Sequence, residues 1–278
     1  MKKVYIVMSI DIIQPAHINI IKKASELGEL TVGVLTDKAI SSYKKIPFMR
    51  FDQRKLIFEN IKGVSNVVAQ ETTSYVDNIT KLKPDFVVHG DDWKKGVLSN
   101  TRKELVDLLE KIGGELIEFP YSKNFTADLQ GQINPTSTTP SIRLSMLRRL
   151  LSYKSIIRVN EVHNGLCGLL TENVSEQRGG DMVSFDAMWS SSLTDSTSKG
   201  MPDIEAVDMT SRLLSVNHIF EVTTKPMIFD GDTGGKTEHF EFTVKSLERI
   251  GVSAIIIEDK TGLKKNSLFG NDVFLAEL

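Results

Sequence analysis

Residues 226–235 read PMIFDGDTGG, a short apolar run that changes at once into a turn of aspartate and glycine. An apolar run of this length, bounded by turn residues, is typical of a buried strand in a parallel sheet. The same pattern recurs at residues 156–164, 182–192 and 254–260. Polar residues at the carboxyl ends of successive strands are what a (β/α) barrel places around its active site. The pattern therefore predicts a TIM-type barrel in the second half of the chain.

The predicted barrel is incomplete. A basic helix is predicted over residues 143–153, and from there the chain runs only to residue 278. A closed eight-stranded barrel needs about 250 residues. We therefore expect about four of the eight strands, in a C-terminally truncated (β/α) barrel.

The first 121 residues alternate apolar runs with amphipathic stretches. Strands are predicted at residues 4–9, 30–35, 64–69, 85–89 and 115–119, with helices at 18–27, 52–61 and 101–112 and a short one ending near Leu82. Regular alternation of strand and helix predicts parallel pairing with right-handed crossovers. The fold class is therefore α/β, with a Rossmann-like, doubly wound parallel sheet in the first half.

A polar stretch separates the two patterns. Residues 122–142 are rich in Ser, Thr, Asn and Gln, contain Pro135 and Pro140, and lack apolar periodicity, as linkers do. The expected organisation is a first domain over residues 1–121, a linker over 122–142 and a second domain over 143–278.

Composition excludes several classes of protein. The chain has 278 residues with 34 Lys+Arg against 36 Asp+Glu, a net charge of -2, which disfavours a nucleic-acid partner. The lone Cys167 excludes a disulfide framework and cysteine-based metal sites, so we expect a reducing, cytoplasmic setting. No stretch approaches the roughly 18 apolar residues that cross a bilayer, so no membrane partner is expected. After these exclusions, we expect a protein that acts on small molecules.

Three acidic residues follow two neighbouring predicted strands. Asp230 and Asp232 come directly after one strand, and Glu258 follows the next. Carboxylates on adjacent strand ends suit a hard, oxygen-liganded cation such as Mg²⁺, which keeps several waters when bound to proteins. The pattern predicts a magnesium site.

The second half resembles the phosphoenolpyruvate mutase branch of the isocitrate lyase superfamily. The resemblance rests on four stretches: VHNGLCGLLTEN at 162–173, MWSSSLTDSTSKGMPDIE at 188–205, IFDGDTGG at 228–235 and EDKTGLKKNS at 258–267. It implies isomerisation of phosphoenolpyruvate to phosphonopyruvate, in which the phosphoryl group moves from oxygen to carbon. It also implies Asp230 as the Mg²⁺ ligand, Asp232 and Glu258 as holders of its waters, and Asp203 as a catalytic aspartate beside the reacting phosphoryl group.

The resemblance further implies a substrate pocket and a loop that closes over it. The pocket residues would be Trp189, Ser191, Ser192 and Leu193; the loop would supply the catalytic Lys264 and Asn266 and the substrate-binding Ser267. The carbon–carbon lyases of the superfamily carry a Lys-Lys-Cys-Gly-His run on this loop, whereas this chain has Lys-Lys-Asn-Ser at 264–267, which disfavours a lyase. Phosphonopyruvate hydrolase shares much of the same set of residues and remains an alternative.

The first half resembles the cytidylyltransferase-like nucleotidyltransferases. Residues 9–17, SIDIIQPAH, resemble the HxGH motif, with Gln14 in place of the first histidine and Ala16 in place of the glycine. The resemblance implies nucleotide contacts from Ser9, Asp11, Gln14, His17, Lys44 and Asp91. CTP would be the co-substrate and a phosphonate the acceptor of CMP.

Two hypotheses from different classes follow. The first is an enzyme of phosphonate biosynthesis, a mutase domain fused to a CMP-transferring domain. The second is a catalytically reduced nucleotide-binding or regulatory subunit, because the HxGH motif is altered and the barrel is incomplete. We expect a homo-oligomer, or completion of the barrel by another chain. The arginine-rich run from Arg143 to Arg158 is interpreted as a solvated helix face.

Overall fold

A computed structural model describes residues 1–43, 46–94, 99–120, 138–178, 181–259 and 264–265. The chain divides into two compact units, one of residues 1–133 with 177–183 and one of residues 134–176 with 184–278. Among the described residues, no helix has the length and apolar character needed to span a bilayer.

The first unit is built on a five-stranded sheet in the order β3-β2-β1-β4-β5, in which every pairing is parallel. The strands are β1 (Lys3–Met8), β2 (Glu29–Leu35), β3 (Asn66–Gln70), β4 (Phe86–Gly90) and β5 (Glu115–Phe119). The helices are α1 (Pro15–Leu27), α2 (Asp37–Ser41), α3 (Phe51–Glu59), α4 (Val76–Leu82) and α5 (Ser99–Ile112), with a 3₁₀ turn at Asp91–Lys94. This confirms the doubly wound parallel sheet.

Alternation along β1 explains why helices cover both faces of this sheet. Val4 and Ile6 belong to one core cluster, which includes side chains of α1 and α3. Tyr5, which points to the opposite face, belongs to another cluster with side chains of α4 and α5. Because successive strand residues point to opposite faces, a continuous apolar run on a central strand contributes side chains to the core on each face of the sheet.

The second unit contains a four-stranded sheet in the order β11-β10-β9-β6, also parallel throughout. Its strands are β6 (Val159–Glu161), β9 (Ala187–Ser190), β10 (Met227–Asp230) and β11 (Ala254–Ile256). The helices are α6 (Pro140–Tyr153), α7 (Gly165–Asn173), α8 (Ser192–Ser198), α9 (Met209–Phe220) and α10 (Thr237–Ile250). Four parallel strands alternating with helices agree with the predicted partial barrel.

The segment between β6 and β9 differs from the sequence prediction. Instead of one strand over residues 182–188, the chain forms a separate two-stranded sheet of β7 (Ser175–Arg178) and β8 (Asp181–Ser184), and β9 begins only at Ala187. Asp186 interrupts the run, because its carboxylate accepts from Lys154 Nζ at 2.6 Å and from the Arg158 amide at 2.9 Å. A buried carboxylate needs such partners, so Asp186 marks a polar break in the apolar run between β8 and β9.

The arginine-rich run is also less uniform than predicted. Arg143 in α6 is 2% exposed, with its guanidinium 3.7 Å from the centre of the Phe220 ring and one N–H bonded to the Thr223 carbonyl at 2.9 Å. Burial lowers the pKa of Arg143 to about 10, although Glu172 and Glu221 act in the opposite direction. The interpretation of this run as a wholly solvated face was therefore wrong for Arg143.

Candidate active site

The carboxyl ends of β9 and β10 bring the predicted acidic and serine residues together. Because the strands are parallel neighbours, their carboxyl ends meet at one edge of the sheet. At this edge the Asp230 carboxylate accepts from the Ser192 amide at 3.1 Å and from the Ser192 hydroxyl at 2.8 Å. Its other oxygen accepts from the Asp232 amide at 3.1 Å. Burial acts to raise the pKa of Asp230, but these hydrogen bonds and the charge of Lys264 outweigh it and hold the pKa below its ordinary value.

The turn that carries the two aspartates is tied to β11 by its main chain. The Gly231 amide donates to the Ile256 carbonyl at 2.7 Å, and the Glu258 amide donates to the Asp232 carbonyl at 2.7 Å. A methyl group at residue 231 would lie 2.7 Å from Ile255 Cδ1 and 3.1 Å from the Ile256 oxygen, so only glycine allows this approach. The acidic turn thus continues the β10–β11 ladder past the strand ends.

Lys264 places its ammonium within this cluster. Its Nζ donates to Ser192 Oγ at 2.7 Å, to Asp203 Oδ1 at 2.7 Å and to Asp232 Oδ1. Lys264 is 6% exposed and Asp203 is 4% exposed, so these charges compensate each other out of water. Burial acts to lower the pKa of Lys264, but hydrogen bonds and charge from Asp203 and Asp232 outweigh it and raise the pKa above its ordinary value. The lysine is therefore an ammonium at neutral pH.

Asp232 is shared between two cations. Its Oδ2 accepts from Arg212 Nη1 at 2.9 Å, while its Oδ1 accepts from Lys264. Burial raises the pKa of Asp232 above its ordinary value, although Lys264, Ser192 and Arg212 act in the opposite direction. Arg212, on α9, was not predicted as a site residue.

The other described residues predicted for this site lie on β9, at the start of α8 and after β11. Trp189 is half-buried on β9, Ser191 caps α8 by accepting from the Thr194 amide at 3.4 Å, and Leu193 lies in the first turn of α8. The Glu258 side chain is exposed. Asn266 and Ser267 lie outside the described residues. Among the residues that are described, no three His, Cys, Asp or Glu side chains converge as a metal centre.

The first unit brings its predicted residues to one edge as well. Ser9 and Asp11 follow β1, and Asp91 follows β4, which is the neighbour of β1. In the order β3-β2-β1-β4-β5 the chain continues from β1 to β2 and β3 on one side, and then returns to place β4 and β5 on the other side of β1. The crevice between β1 and β4 is therefore the topological switch point of the sheet. Ligands of open α/β sheets bind in such crevices, outside the carboxyl ends of the strands. Lys44 lies outside the described residues.

The altered motif at the start of α1 is an ordered structure. Gln14 is 4% exposed; its main-chain N–H donates to His17 Nδ1 at 3.0 Å, and the His17 main-chain N–H donates to the Gln14 main-chain carbonyl at 2.9 Å. This bond leaves Nε2 as the protonated nitrogen of a neutral His17 ring. The Asp11 carboxylate accepts from the amides of Phe48 at 2.6 Å and Met49 at 2.9 Å. Asp11 therefore fixes the segment before α3.

Residues 9–150 match the sequence model of the family described as Cytidylyltransferase-like. The chain belongs to this family. Residues 147–278 match a second family model, described as Phosphoenolpyruvate phosphomutase. Both resemblances seen in the motifs are thereby confirmed, and this cytidylyltransferase-like chain carries a mutase-type segment after its first half.

Three curated relatives illustrate these similarities. A 2-methylisocitrate lyase of Aeropyrum pernix is 32% identical over 43% of this chain and 36% of its own length. A phosphoenolpyruvate phosphomutase of Streptomyces hygroscopicus is 33% identical over 47% of this chain and 39% of its own. An FAD synthase of Ferroglobus placidus is 30% identical over 33% of this chain and 60% of its own. The second half is thus similar to enzymes of mutase and lyase type, of which the chain spans less than half the length.

Proposed function

We propose that the second unit binds phosphoenolpyruvate and isomerises it to phosphonopyruvate with Mg²⁺, and that the first unit binds CTP and transfers CMP to a phosphonate. One observation carries the first part of this proposal. Ser192 Oγ, Asp203 Oδ1 and Asp232 Oδ1 converge on the ammonium of Lys264 at the carboxyl edge of a parallel sheet. Phosphoryl transfer relies on positioned positive charge, and carboxylates beside a buried ammonium at this edge, together with Asp230, offer the oxygen ligands that Mg²⁺ takes.

The oxygen donors of this edge fit Mg²⁺. In enzymes that act on phosphates, Mg²⁺ is held by one or two carboxylates and by waters, rather than by a protein cage of three or more ligands. Asp230 would bind the ion, and Asp232 and the exposed Glu258 would hold its waters. Bound there, Mg²⁺ would supply positive charge to the oxygens of the enol and phosphoryl groups.

The chain's own residues would orient the substrate and exclude water. The reaction breaks the P–O bond to the enol oxygen, which becomes a ketone, and forms a P–C bond at the methylene carbon, so no water takes part. Ser192, Asp203 and Lys264 are 3%, 4% and 6% exposed, and burial of this kind protects a reactive phosphoryl group from hydrolysis. The Lys264 ammonium would supply positive charge beside the phosphoryl oxygens, and Asp203 holds the ammonium in position.

Phosphorus NMR tests the mutase proposal. The full chain is incubated with phosphoenolpyruvate and Mg²⁺, and a phosphonopyruvate decarboxylase removes the product, since the family's equilibrium favours the phosphate ester. We expect a carbon–phosphorus resonance that Asp203→Asn reduces by at least a hundredfold. Absence of the resonance from a folded wild-type chain, with and without the C-terminal barrel strands of a longer relative added, contradicts the proposal.

A matched control separates catalysis from loss of a buried carboxylate. Asp186 is 9% exposed and bonds a lysine as Asp203 does, but it lies before β9, at the amino edge of the sheet. Asp186→Asn should lower stability and leave the resonance intact. Conversion of phosphonopyruvate to pyruvate and phosphate, without mutase turnover, would instead identify a hydrolase.

The CTP proposal rests on the crevice between β1 and β4, with His17 as a donor to nucleotide phosphates through Nε2. Gln14 is a neutral side chain where the family motif has histidine, and loss of one transition-state donor commonly costs about 10²–10³ in rate. We expect slow CTP-dependent release of pyrophosphate that Gln14→His accelerates and His17→Asn abolishes. CTP binding by calorimetry without any release, even in Gln14→His, would favour the nucleotide-binding subunit.

A further inference from the structure

Arg212 occupies a position that its sequence pattern does not explain. It lies on α9 in line with Val216 and Ile219, which are fully buried members of the core. Arg212 itself is 3% exposed, and its guanidinium lies 4.2 Å from the centre of the Phe229 ring. Charged side chains are almost never buried to this degree unless they are paired. The identity of its partners therefore indicates what the arginine does.

The partners of Arg212 belong to the acidic edge. Nη1 donates to Asp232 Oδ2 at 2.9 Å, and Nη2 donates to the Ser190 carbonyl at 3.5 Å. Ser190 ends β9 and Asp232 follows β10, so one rigid fork joins the ends of the two strands that carry the proposed site. The planar guanidinium fixes the orientation of a carboxylate better than a lysine ammonium does.

Asp195 holds the guanidinium from the other side without competing for its hydrogen bonds. Arg212 Nε and Asp195 Oδ2 are 3.8 Å apart, and among the described residues neither atom has a hydrogen-bond partner. Asp195, 2% exposed, also pairs with Lys199. The contact with Asp195 is thus purely electrostatic, while the directed bond goes to Asp232.

This arrangement decides which oxygen of Asp232 faces the site. Oδ2 is committed to Arg212, so Oδ1 is the oxygen that points to the ammonium of Lys264 and, on the proposed function, to the waters of the metal ion. Asp232 has a left-handed backbone with φ of 55°, so the turn alone does not hold it in a relaxed conformation. We infer that Arg212, held by Asp195, is the positioning residue that aims Asp232 at the cation site. This inference rests on the proposed function.

Manganese binding, followed by electron paramagnetic resonance of the free ion, tests the inference on the full chain without turnover. Arg212→Met should weaken Mn²⁺ binding by about 10- to 100-fold, which is the usual effect of losing a group that orients a metal ligand. Asp195→Asn, which leaves Arg212 in place, should weaken it several-fold. Arg143→Met is the matched control, because Arg143 is equally buried and also stacked on a phenylalanine but bonds the Thr223 carbonyl away from the site.

The outcomes separate the inference from the function on which it rests. A wild-type chain without Mn²⁺ affinity, alone or with oxalate, overturns both. A wild-type chain that binds Mn²⁺ while folded Arg212→Met binds it equally tightly overturns only the role of Arg212, as does an equal loss in Arg143→Met. If Arg212→Met lacks the near-ultraviolet circular dichroism of a folded chain, Asp195→Asn carries the test, and wild-type affinity in that variant refutes the inference.

Discussion

Replacing Asp37 by alanine should destabilise the first unit by about 3–5 kcal/mol, because Arg54 would remain charged and buried without its counter-ion. Arg54 Nη2 donates to Asp37 Oδ1 at 2.6 Å, and the two side chains are 0% and 2% exposed. A second Arg54 nitrogen donates to the Leu35 carbonyl at 2.8 Å, so the arginine joins the end of β2 to α3. At 1.4 kcal/mol per decade, the expected loss corresponds to a hundredfold to a few thousandfold change in the unfolding equilibrium.

Tryptophan fluorescence during urea unfolding measures this loss in the first unit alone. The chain has two tryptophans; Trp93 is 2% exposed in the first unit, and Trp189 is on β9 of the second. A Trp189→Phe background leaves Trp93 as the reporter. The matched control is Glu59→Ala in α3, where Lys55 Nζ and Glu59 Oε1 are 3.6 Å apart and the side chains are 42% and 43% exposed. Removing an exposed pair of this kind should cost about 0.5 kcal/mol or less.

The double variant Asp37→Leu with Arg54→Met completes the test. Replacing both charges by apolar side chains leaves no uncompensated charge, so much of the stability should return. A midpoint for Asp37→Ala as close to wild type as that of Glu59→Ala would refute the reasoning. It would mean that water reaches Arg54 without cost, contrary to its burial.

Three further perturbations test local features. Hydrogen bonds from Ser211 hold the pKa of Asp208, at the start of α9, below its ordinary value. The stability that Asp208 contributes is therefore present above the pKa of the unfolded chain and is lost as the pH falls through the pKa of the folded chain. The difference in urea midpoint between wild type and Asp208→Ala should shrink on acidification toward pH 2. Gly231→Ala should lower the free energy of unfolding by about 1–3 kcal/mol, because the added methyl group crowds Ile255. Adding Ile255→Val, which removes the Cδ1 atom that would lie 2.7 Å away, should recover part of that stability. Equal stability of Gly231→Ala and wild type in thermal unfolding would contradict the close approach. Asp11→Ala should speed hydrogen exchange of the Phe48 and Met49 amides, with Asp52→Ala as the control, and unchanged exchange by mass spectrometry would exclude the two bonds to Asp11.

The centre of the first sheet was predictable because strands β1 and β2 are buried on both faces. A central strand such as β1 then reads as an unbroken apolar run, and the predicted residues 4–9 differ from Lys3–Met8 by one position. The short pair β7 and β8 was not predictable in this way. The described residues of β7 are all exposed, so that strand carries no apolar signal at all.

The acidic edge was only partly predictable. Asp230 ends an apolar strand and Asp232 follows it, and that position is visible in the sequence because parallel strands align their carboxyl ends. Arg212 and Asp195 were missed because a charged residue on a helix is assigned to the solvent by default. The available signal was the helical stripe of Arg212, Val216 and Ile219, in which a charge stands in line with apolar residues and so requires a buried partner.

The two main-chain bonds that fasten the acidic turn to β11 have a consequence for how this region can vary. The Gly231 amide meets the Ile256 carbonyl, and the Glu258 amide meets the Asp232 carbonyl, so neither bond involves a side chain. Substitutions at residues 256 and 258 can therefore change charge and bulk at the rim while the peptide framework beneath the two aspartates stays where it is. The placement of the two aspartates is thus set independently of the side chains at residues 256 and 258.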